Sequence, residues 1–468
     1  SQPGFVNEDP DTAAVGNGSF IFSPLTFPSI GYRRSYELRD PRERRKRGLP
    51  EQAAPEDSPH GEEPEAQQWV RFEATVSTSA DQLAVAPGRL ERQWEENGRR
   101  YFHYRSEAPV TNVFAFASAR YHVERRQHGD VTLEVFHHPA HGANVERMLR
   151  AAAATLDYME QHFGPYPHEA LRIVEVPSYW RFGAFAMPGL IAFVEDRGFR
   201  TDATGPERLD LVSRRVVHEA AHQWWGHQLS PTSGPGSSTI VESLTKYTEL
   251  RVMEAMYGRE YVRRSLAFEL DRYLEGRAGE TEKELPLSTV GKQPYLYYGK
   301  GAVVLSALGN LLGEETMNRA LREFLREEGG PGGNATTREL LAHLRAAAPA
   351  QTHPLLRDWL EDITLYDLRA ESAHLRPLAD GRYEVTLRIT AGKSHADGSG
   401  NEAPVELHEP IEVGLFGEEH VLSVQRHELH SGLNTLSLVL DERPVSVVVD
   451  PYLTRIDRNR FDNERGLD

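Results

Sequence analysis

Two histidines one helical turn apart, followed later by a glutamate, constrain this 468-residue chain more than any other feature. Residues 218–222 read His-Glu-Ala-Ala-His, and Glu242 follows in the run Val-Glu-Ser-Leu-Thr-Lys-Tyr. Residues four apart on an α-helix lie about 40° apart around its axis, so both imidazoles face one point. Two histidines and one glutamate are a common ligand set of catalytic zinc. The pattern predicts one zinc ion per chain, held by His218, His222 and Glu242.

Glu219 stands between the two histidines and is poorly placed to share their metal. Its carboxylate is suited to act as general base toward a water molecule at the metal, so the chemistry implied is hydrolysis of a polarised carbonyl. The residue pattern predicts one helix over 207–228, a Ser/Gly/Pro loop over 230–238 and a second helix that carries Glu242. The alternative is that the histidines are ordinary helix residues and Glu242 a solvated acid.

The sequence around these residues resembles a known family. The runs HEAAHQWWGHQL (218–229) and VESLTKYTEL (241–250) look like those of the zinc aminopeptidases called gluzincins, which include aminopeptidase N and leukotriene hydrolase. Residues 297–305 are similar to the family's Tyr-x-Lys-Gly segment, and the resemblance implies that Tyr298 stabilises the tetrahedral oxyanion. A phenol beside a metal is chemically suited to that role, because it donates a hydrogen bond to charge that develops in the transition state. The alternative for Tyr298 is an aromatic core residue.

The similarity extends over about residues 143–359, with two departures from the family pattern. The first is the spacing, because nineteen residues separate His222 from Glu242, one more than the family usually has. A longer loop absorbs this extra residue at little cost. A ligand set with Glu249 would require a much longer spacing, so Glu242 is the predicted third ligand.

The second departure concerns the family's exopeptidase signature Gly-x-Met-Glu-Asn. Here Ala186 replaces the glutamate that binds the free amino group of the substrate. An alanine cannot make that charge-assisted contact, which typically contributes about 1.5–3 kcal/mol. The resemblance still implies that this segment lies along the cleft as an edge strand and aligns the peptide backbone. The predicted substrate-binding residues are Gly183, Ala184, Phe185 and Ala186.

Three acids flank the signature and are candidates to replace the missing glutamate. They are Glu175, Glu195 and Asp196. The alternative for each of them is a plain surface acid. If none serves, the chain is not an ordinary aminopeptidase.

A second group of histidines lies upstream, at residues 137, 138 and 141. The proline at position 139 and the lack of a nearby helical pair argue against a metal site there. A second metal cluster at these histidines is therefore only weakly indicated by the sequence.

Composition excludes several classes of protein. The net charge of −17 argues against nucleic acid or an anionic membrane surface as the partner, because phosphates would be repelled. The chain has no cysteine, which excludes disulfides and thiolate ligands. It also lacks an apolar run of about eighteen residues and a P-loop, so neither a membrane helix nor an ATPase is predicted.

Length and periodicity predict a multidomain α+β chain. Alternating strands indicate an N-terminal β-rich domain over 1–140, with a mobile loop near 41–66. A mainly helical catalytic domain over 141–365 follows, which the resemblance implies is thermolysin-like. Strand periodicity returns over 366–468 and predicts a C-terminal β-sandwich.

A narrower resemblance concerns the cellular context. Residues 29–38, 45–50 and 295–301 look like those of bacterial proteins that fuse this peptidase domain to an ABC transporter permease. This implies an extracytoplasmic, periplasmic domain of an inner-membrane protein, tethered through permease helices outside this chain and associated with a transporter ATPase subunit. The absence of a starting methionine and of a membrane span agrees with an excised piece. The alternative is a cytoplasmic protein.

The sequence as a whole predicts a zinc-dependent metallopeptidase that hydrolyses peptides, most simply of aminopeptidase type. Ala186 favours a first alternative, an endopeptidase or oligopeptidase with the same zinc chemistry. The second alternative is a peptide-binding or gating domain of a transporter with little turnover. Against it, a pure binding module has no need of Glu219 and Tyr298 beside the ligands.

Overall fold

The computed structural model describes residues 18–22, 38, 41–50, 69–178, 180, 182–205, 208–232, 234–333, 335–418 and 420–467. Strands dominate the N-terminal region, helices the central region, and strands again the C-terminal region. This order agrees with the α+β organisation expected from the sequence. Most of the loop predicted near 41–66 lies outside the described residues.

The described residues of the N-terminal region form small antiparallel sheets and one short helix. Three sheets form, with strand orders β1-β8-β4, β2-β7 and β3-β6-β5. Their elements are β1 (Ser19–Phe22), α1 (Pro41–Lys46), β2 (Trp69–Val70), β3 (Glu73–Ser79), β4 (Leu83–Val85), β5 (Arg89–Glu96), β6 (Arg99–Arg105), β7 (Val110–Thr111) and β8 (Ala115–Ala119). Where the loop near 41–66 is described, it begins as helix α1, because Arg44 donates hydrogen bonds to the carbonyls of Leu38 and Pro50 and holds the turn closed.

The central region combines one five-stranded sheet with eight helices among its described residues. The sheet order is β12-β13-β11-β10-β9. The elements are β9 (His122–His128), β10 (Val131–His137), α2 (Val145–Phe163), β11 (Ala170–Val176), β12 (Ala184–Met187), β13 (Leu190–Val194), α3 (Leu211–Ala221), α4 (Leu244–Tyr257), α5 (Arg259–Ala278), α6 (Gly301–Leu312), α7 (Glu314–Glu328), α8 (Thr337–Ala347) and α9 (His353–Leu360).

The sheet crosses the domain boundary that the sequence placed at residue 140. Strands β10 and β11 pair in parallel, with α2 as the crossover helix between them. A parallel pair needs such a crossover, so β9 and β10 belong with the central sheet although they precede the predicted boundary. The alternation in β10 that predicted a half-buried strand is present, since Val131, Leu133 and Val135 are all buried.

Helix α2 packs on this sheet through the apolar face that its sequence predicts. The buried residues of that face are Val145, Met148, Leu149, Ala152, Leu156 and Met159. Gly164 follows the helix with φ of 109°, a left-handed conformation that glycine adopts without strain and that ends the helix.

Helix α3 carries His218, has His222 as the residue that follows its last turn, and is shorter than the predicted span of 207–228. It begins at Leu211, because the Asp210 carboxylate caps it by accepting a hydrogen bond from the Ser213 N–H at 2.9 Å. It ends at Ala221, after which the chain turns through Gly226, whose φ is 125°. This turn brings Trp225 beside Leu229 and buries both side chains.

The C-terminal region is built from two antiparallel four-stranded sheets. In the first sheet β15 pairs with β14, β16 and β19, and the second has the order β18-β17-β20-β21. The strands are β14 (Ile363–Pro377), β15 (Tyr383–Ala396), β16 (Glu402–Val405), β17 (His408–Phe416), β18 (Val421–His430), β19 (Gly432–Leu440), β20 (Ser446–Val449) and β21 (Glu464–Gly466). Alternate residues from both sheets share one apolar core, including Val385, Leu387, Val413 and Val447.

The described helices include none with the length and apolar character that crossing a bilayer requires.

Candidate metal centre

The structure brings the three predicted metal ligands together. Oε2 of Glu242 lies 3.2 Å from Nε2 of His218 and 3.6 Å from Nε2 of His222. In a tetrahedral zinc site with bonds of about 2.0–2.1 Å, neighbouring ligand atoms lie about 3.3 Å apart. The two observed separations bracket that value, and all three ligand atoms lie within 4.8 Å of one another, so their donor types and the spacing of Glu242 from each histidine fit a zinc ion.

The other ring nitrogen of each histidine has its own partner. Nδ1 of His218 lies 3.2 Å from Oε2 of Glu249, and Nδ1 of His222 lies 2.8 Å from the carbonyl oxygen of Trp225. These acceptors favour a proton on Nδ1 and therefore leave Nε2 of each ring available to a metal. The turn that ends α3 thus has a function, because it places the Trp225 carbonyl against His222.

Glu249 belongs to a buried network of charges behind the metal centre. Its Oε1 accepts from Nε of Arg214 at 2.8 Å and from Nζ of Lys246 at 2.7 Å. The same two cations also contact Glu269, at 2.8 and 2.7 Å. Burial alone would raise the pKa of Glu249, but Arg214 and Lys246 outweigh it and hold that pKa well below its usual range. Glu249 therefore stays ionised and can accept a hydrogen bond from His218.

Electrostatics at the centre favour a bound cation. Burial opposes ionisation of Glu242, but the adjacent His222 and His218 lower its pKa overall, so it is a carboxylate at neutral pH. Burial lowers the pKa of His218, yet its hydrogen bonds with Glu242 and Glu249 raise it to about 9. The negative charge of the two glutamates thus attracts a positive charge to the histidine nitrogens.

Glu219 lies on the same helix, next to the edge strand of the sheet. It is 8% exposed, and burial raises its pKa against the opposing influence of His222 and His218. The backbone N–H of Ala186 lies close enough to lower that pKa in part. A carboxylate with a raised pKa is suited to take up and return a proton near neutral pH.

Glu242 and Tyr298 both lie on π-helical turns, Thr239–Ser243 and Tyr295–Lys300. The two turns are joined, because the Ser243 hydroxyl donates to the Tyr297 carbonyl at 2.7 Å. Their approach requires glycine at position 301, where an added Cβ would lie 2.3 Å from Oγ of Ser243. Such turns often occur at functional sites, because they shift side chains out of helical register.

Tyr298 stands beside the metal ligands. Its ring centre is 5.9 Å from that of His218, and the guanidinium of Arg272 lies 4.6 Å from the centre of the ring. Burial and the negative charge of Glu242 raise the pKa of Tyr298, so the hydroxyl keeps its proton and can donate it in a hydrogen bond.

The predicted substrate-binding segment forms an edge strand. Strand β12 pairs with β13 on one side, with Ala184 opposite Phe193 and Ala186 opposite Ile191. Its other side has no strand partner in the described part of the chain. Gly183 precedes the strand and accepts a hydrogen bond from the Val194 N–H at 3.1 Å. The free edge of β12 is therefore available to an extended peptide.

Phe185 points away from the metal ligands. Its ring centre lies 4.9 Å from that of Phe22 and 5.6 Å from that of Phe182, so it packs against the N-terminal strands. Alternation along the strand then turns Ala184 and Ala186 to the opposite face. Of the four predicted substrate-binding residues, Phe185 is the one whose side chain packs against the N-terminal region.

One glutamine fastens the metal helix to the end of β12. The side chain of Gln223 accepts a hydrogen bond from the Gly189 N–H at 2.8 Å and donates one to the Met187 carbonyl at 3.0 Å. Gln223 follows directly after His222, so the position of the edge strand and the position of the ligands are coupled. A cavity of about 310 Å³ lies beside Gln223, between the central sheet and the N-terminal strands.

The surface-acid alternative is wrong for two of the three acids that flank β12. Glu175 and Glu195 are fully buried, and their hydrogen bonds go to His141, His138 and Ser178 rather than to β12. Asp196 is exposed, as a surface acid would be.

From the sequence, Glu249 was expected only to be an unsuitable metal ligand, and Arg214, Lys246 and Glu269 were not predicted to belong to the site. A signal was present, since Arg214 lies four residues before His218 and Glu249 seven residues after Glu242. Both spacings keep residues on the same helical face. The pairing itself, however, joins three helices and is a tertiary contact.

We predict that Glu249→Gln weakens zinc binding. The amide would lose the charged acceptor for His218 Nδ1, and loss of such a partner typically costs about 10- to 100-fold in metal affinity. Competition with a chromophoric chelator measures the change. Glu254→Gln, on the same helix, is the matched control because Glu254 pairs with Arg251 away from the histidines. Equal zinc affinity in the Glu249→Gln and wild-type proteins would contradict this account.

Comparison with known proteins agrees with this geometry. Residues 147–359 match the model of the peptidase family M1 domain. Similar proteins include Aminopeptidase 2 of Candida albicans, 24% identical over 302 residues, which cover 62% of this chain and 31% of that protein. Leucyl aminopeptidase of Saccharolobus solfataricus is 21% identical over 300 residues, covering 62% and 38%. Human endoplasmic reticulum aminopeptidase 2 is 27% identical over 206 residues, covering 42% and 21%.

The chain therefore spans less than two fifths of the length of each of these relatives. The matched range contains α3, β12 and both π-helical turns, and thus every residue of the candidate centre. The match of residues 147–359 to the peptidase family M1 domain, together with the aminopeptidases among the similar proteins, supports a peptidase enzyme.

Proposed function

We propose that this chain is a zinc-dependent metallopeptidase that hydrolyses peptides, of aminopeptidase type. One observation supports this most directly: Nε2 of His218 and of His222 converge on Glu242 while Glu219 lies on the same helix beside a free strand edge. Members of peptidase family M1 generally depend on zinc, which agrees with the donor set.

The zinc ion would be held by His218, His222 and Glu242. When bound, it supplies a Lewis acid that polarises the scissile carbonyl and makes water more acidic. Glu219 takes the proton of the attacking water and later gives it to the leaving amine. The Tyr298 hydroxyl donates a hydrogen bond to the oxygen that becomes negative in the transition state.

The free edge of β12 aligns the substrate. An extended peptide pairs with a strand edge through backbone hydrogen bonds, which fix its direction and register. Ala184 and Ala186 have small side chains, so the peptide backbone can approach closely. Because Gln223 ties the end of β12 to the metal helix, the bound carbonyl is held at a fixed distance from Glu219.

An endopeptidase or oligopeptidase is the second candidate, and Ala186 favours it. Position 186 bears no charge, and the hydrogen bonds of Glu175 and Glu195 go to other residues. A site that recognises only the peptide backbone has no reason to require a free amino terminus. The third candidate is a transporter domain with little turnover. Such a domain has no chemical need for Glu219 and Tyr298 beside the ligands.

We predict that Glu219→Gln abolishes turnover while zinc remains bound. The amide cannot accept the water proton, and loss of a general base costs at least about 10²- to 10⁴-fold in kcat. Peptide hydrolysis and zinc content are measured on the same preparation. Retained hydrolysis in the zinc-loaded variant would contradict the proposed mechanism. If the variant binds less zinc than the wild type, kcat is calculated per zinc-loaded chain.

The exopeptidase and endopeptidase candidates differ in how they treat a blocked amino terminus. As an aminopeptidase, the wild-type protein should cleave a free peptide and lose its N-acetylated form. Comparable cleavage of both forms would favour the endopeptidase candidate, because Ala186 offers no charge to the amine. Ala186→Glu restores that charge and should raise the preference for the free amine about 10- to 100-fold in kcat/KM.

Ala186→Gln is the matched control, since it adds the same volume without the charge. A gain in preference with glutamate but not with glutamine supports recognition at position 186. Strong discrimination by the wild-type protein, unchanged by Ala186→Glu, would contradict this and would point to another group that binds the amine.

We propose that the chain works as the extracytoplasmic part of an ABC transporter permease, with a peptide as substrate and no nucleic acid partner. The support is the resemblance of residues 29–38, 45–50 and 295–301, of which residues 29–37 lie outside the described residues. We expect the natural protein to fractionate with membranes and to copurify with a transporter ATPase. Recovery from the cytoplasm without an ATPase would contradict this placement.

A further inference from the structure

A cluster lies at the carboxyl ends of the parallel strands β10, β11 and β13, where strand β11 meets the loops that follow β10 and β13. These segments bring together His141, Glu175 and Glu195, which are 8%, 0% and 0% exposed. None of these residues belongs to the candidate zinc centre. Loops at the carboxyl ends of parallel strands are common binding positions, because several loops can contribute side chains to one point.

The three side chains offer ligand atoms that all lie within 4.8 Å of one another. Oε1 of Glu175 is 2.5 Å from Nδ1 of His141, and its Oε2 accepts from the His138 N–H at 2.6 Å. Oε1 of Glu195 accepts from the Ser178 N–H at 3.0 Å. Backbone donors thus orient both carboxylates and hold them next to the imidazole.

One atom of this cluster lacks a partner. Oε2 of Glu195 is buried and receives no hydrogen bond in the described part of the chain. A buried polar atom without a partner typically costs about 1–3 kcal/mol, and more when it carries charge. Two buried carboxylates also exceed the single positive charge that a protonated His141 could supply. The hydrogen bond with Glu175 raises the pKa of His141, although burial and the nearby Arg200 oppose this.

We propose that His141, Glu175 and Glu195 form a second binding site for a divalent cation, separate from the centre at His218. A cation among these atoms would satisfy the unpartnered Glu195 oxygen and balance the two carboxylates. It would also take the place of the proton that His141 and Glu175 share.

The donor set indicates which cations the site would take. An imidazole nitrogen with two carboxylate oxygens suits zinc or manganese, whereas calcium and magnesium prefer shells made of oxygen alone. We therefore assign the site to the zinc class. Its effect would be structural, because Glu195 begins the connection that runs to Asp210 at the start of α3. A cation there would fasten this connection to β11 and to the loop that precedes α2.

Zinc stoichiometry tests this proposal, with Zn²⁺ itself as the probe. The chain is saturated with Zn²⁺, freed of excess metal by gel filtration and analysed by mass spectrometry of the elements. We expect about two zinc ions per chain in the wild type and about one in His222→Ala, which loses the first centre. Glu195→Gln should also hold about one, and the double variant none. Asp196→Asn, an exposed neighbour, should hold about two.

Thermal stability supplies a second measurement. Zn²⁺ should raise the Tm of His222→Ala and should have no effect on the Tm of the double variant, because a ligand stabilises only a protein that binds it. His222→Ala without bound zinc would overturn the proposal even if Glu195→Gln failed to fold, and so would two zinc ions in a folded Glu195→Gln protein. In either case the cluster holds protons instead of a cation.

Discussion

The contact between Glu249 and His218 is the interaction on which the candidate centre depends. It joins a metal-binding ring to a buried network in which Arg214 and Lys246 each contact both Glu249 and Glu269. Removing one partner from such a network leaves an unpaired buried charge, which typically costs about 3–5 kcal/mol. The network therefore fixes α3, α4 and α5 relative to one another. The buried ion pairs behind the site, and not the ligands themselves, therefore set the positions of the histidine rings.

The edge strand is held to this rigid unit at a single point. Gln223 follows a ligand in the sequence and bonds to the backbone on both sides of the turn between β12 and β13. Because β13, β11 and β10 continue from β12 in one sheet, the position of the substrate strand also depends on packing against α2. The residues proposed for catalysis and the strand proposed to align the substrate, β12, thus lie on separate elements. The side chain of Gln223 connects them.

The sequence revealed those parts of the structure that follow from local periodicity. The spacing of His218 and His222 predicted a shared face, and the alternation in β10 predicted a buried strand, because both depend only on backbone geometry. The end of α3, the π-helical turns and the partners of Glu249 were not predicted. Each depends on contacts between distant segments, such as the bond between Ser243 and Tyr297. The pairing of β10 with the central sheet was not predicted either, since parallel pairing of β10 with β11 cannot be inferred from either strand alone.

The selectivity of the site follows from where the chain places its acids. Ala186 removes the charge that would recognise an amino terminus, and the nearby Glu175 and Glu195 are buried in contact with His141 and Ser178. Bringing either carboxylate to the cleft would break those bonds and move a strand of the sheet, so a rotamer change cannot supply the missing anchor. The groups that remain along β12 are backbone groups, which recognise an extended peptide and its direction but not a charge at its terminus. Under the proposed function, affinity for a substrate would then grow with the length of peptide paired along the strand, up to the four residues that β12 provides.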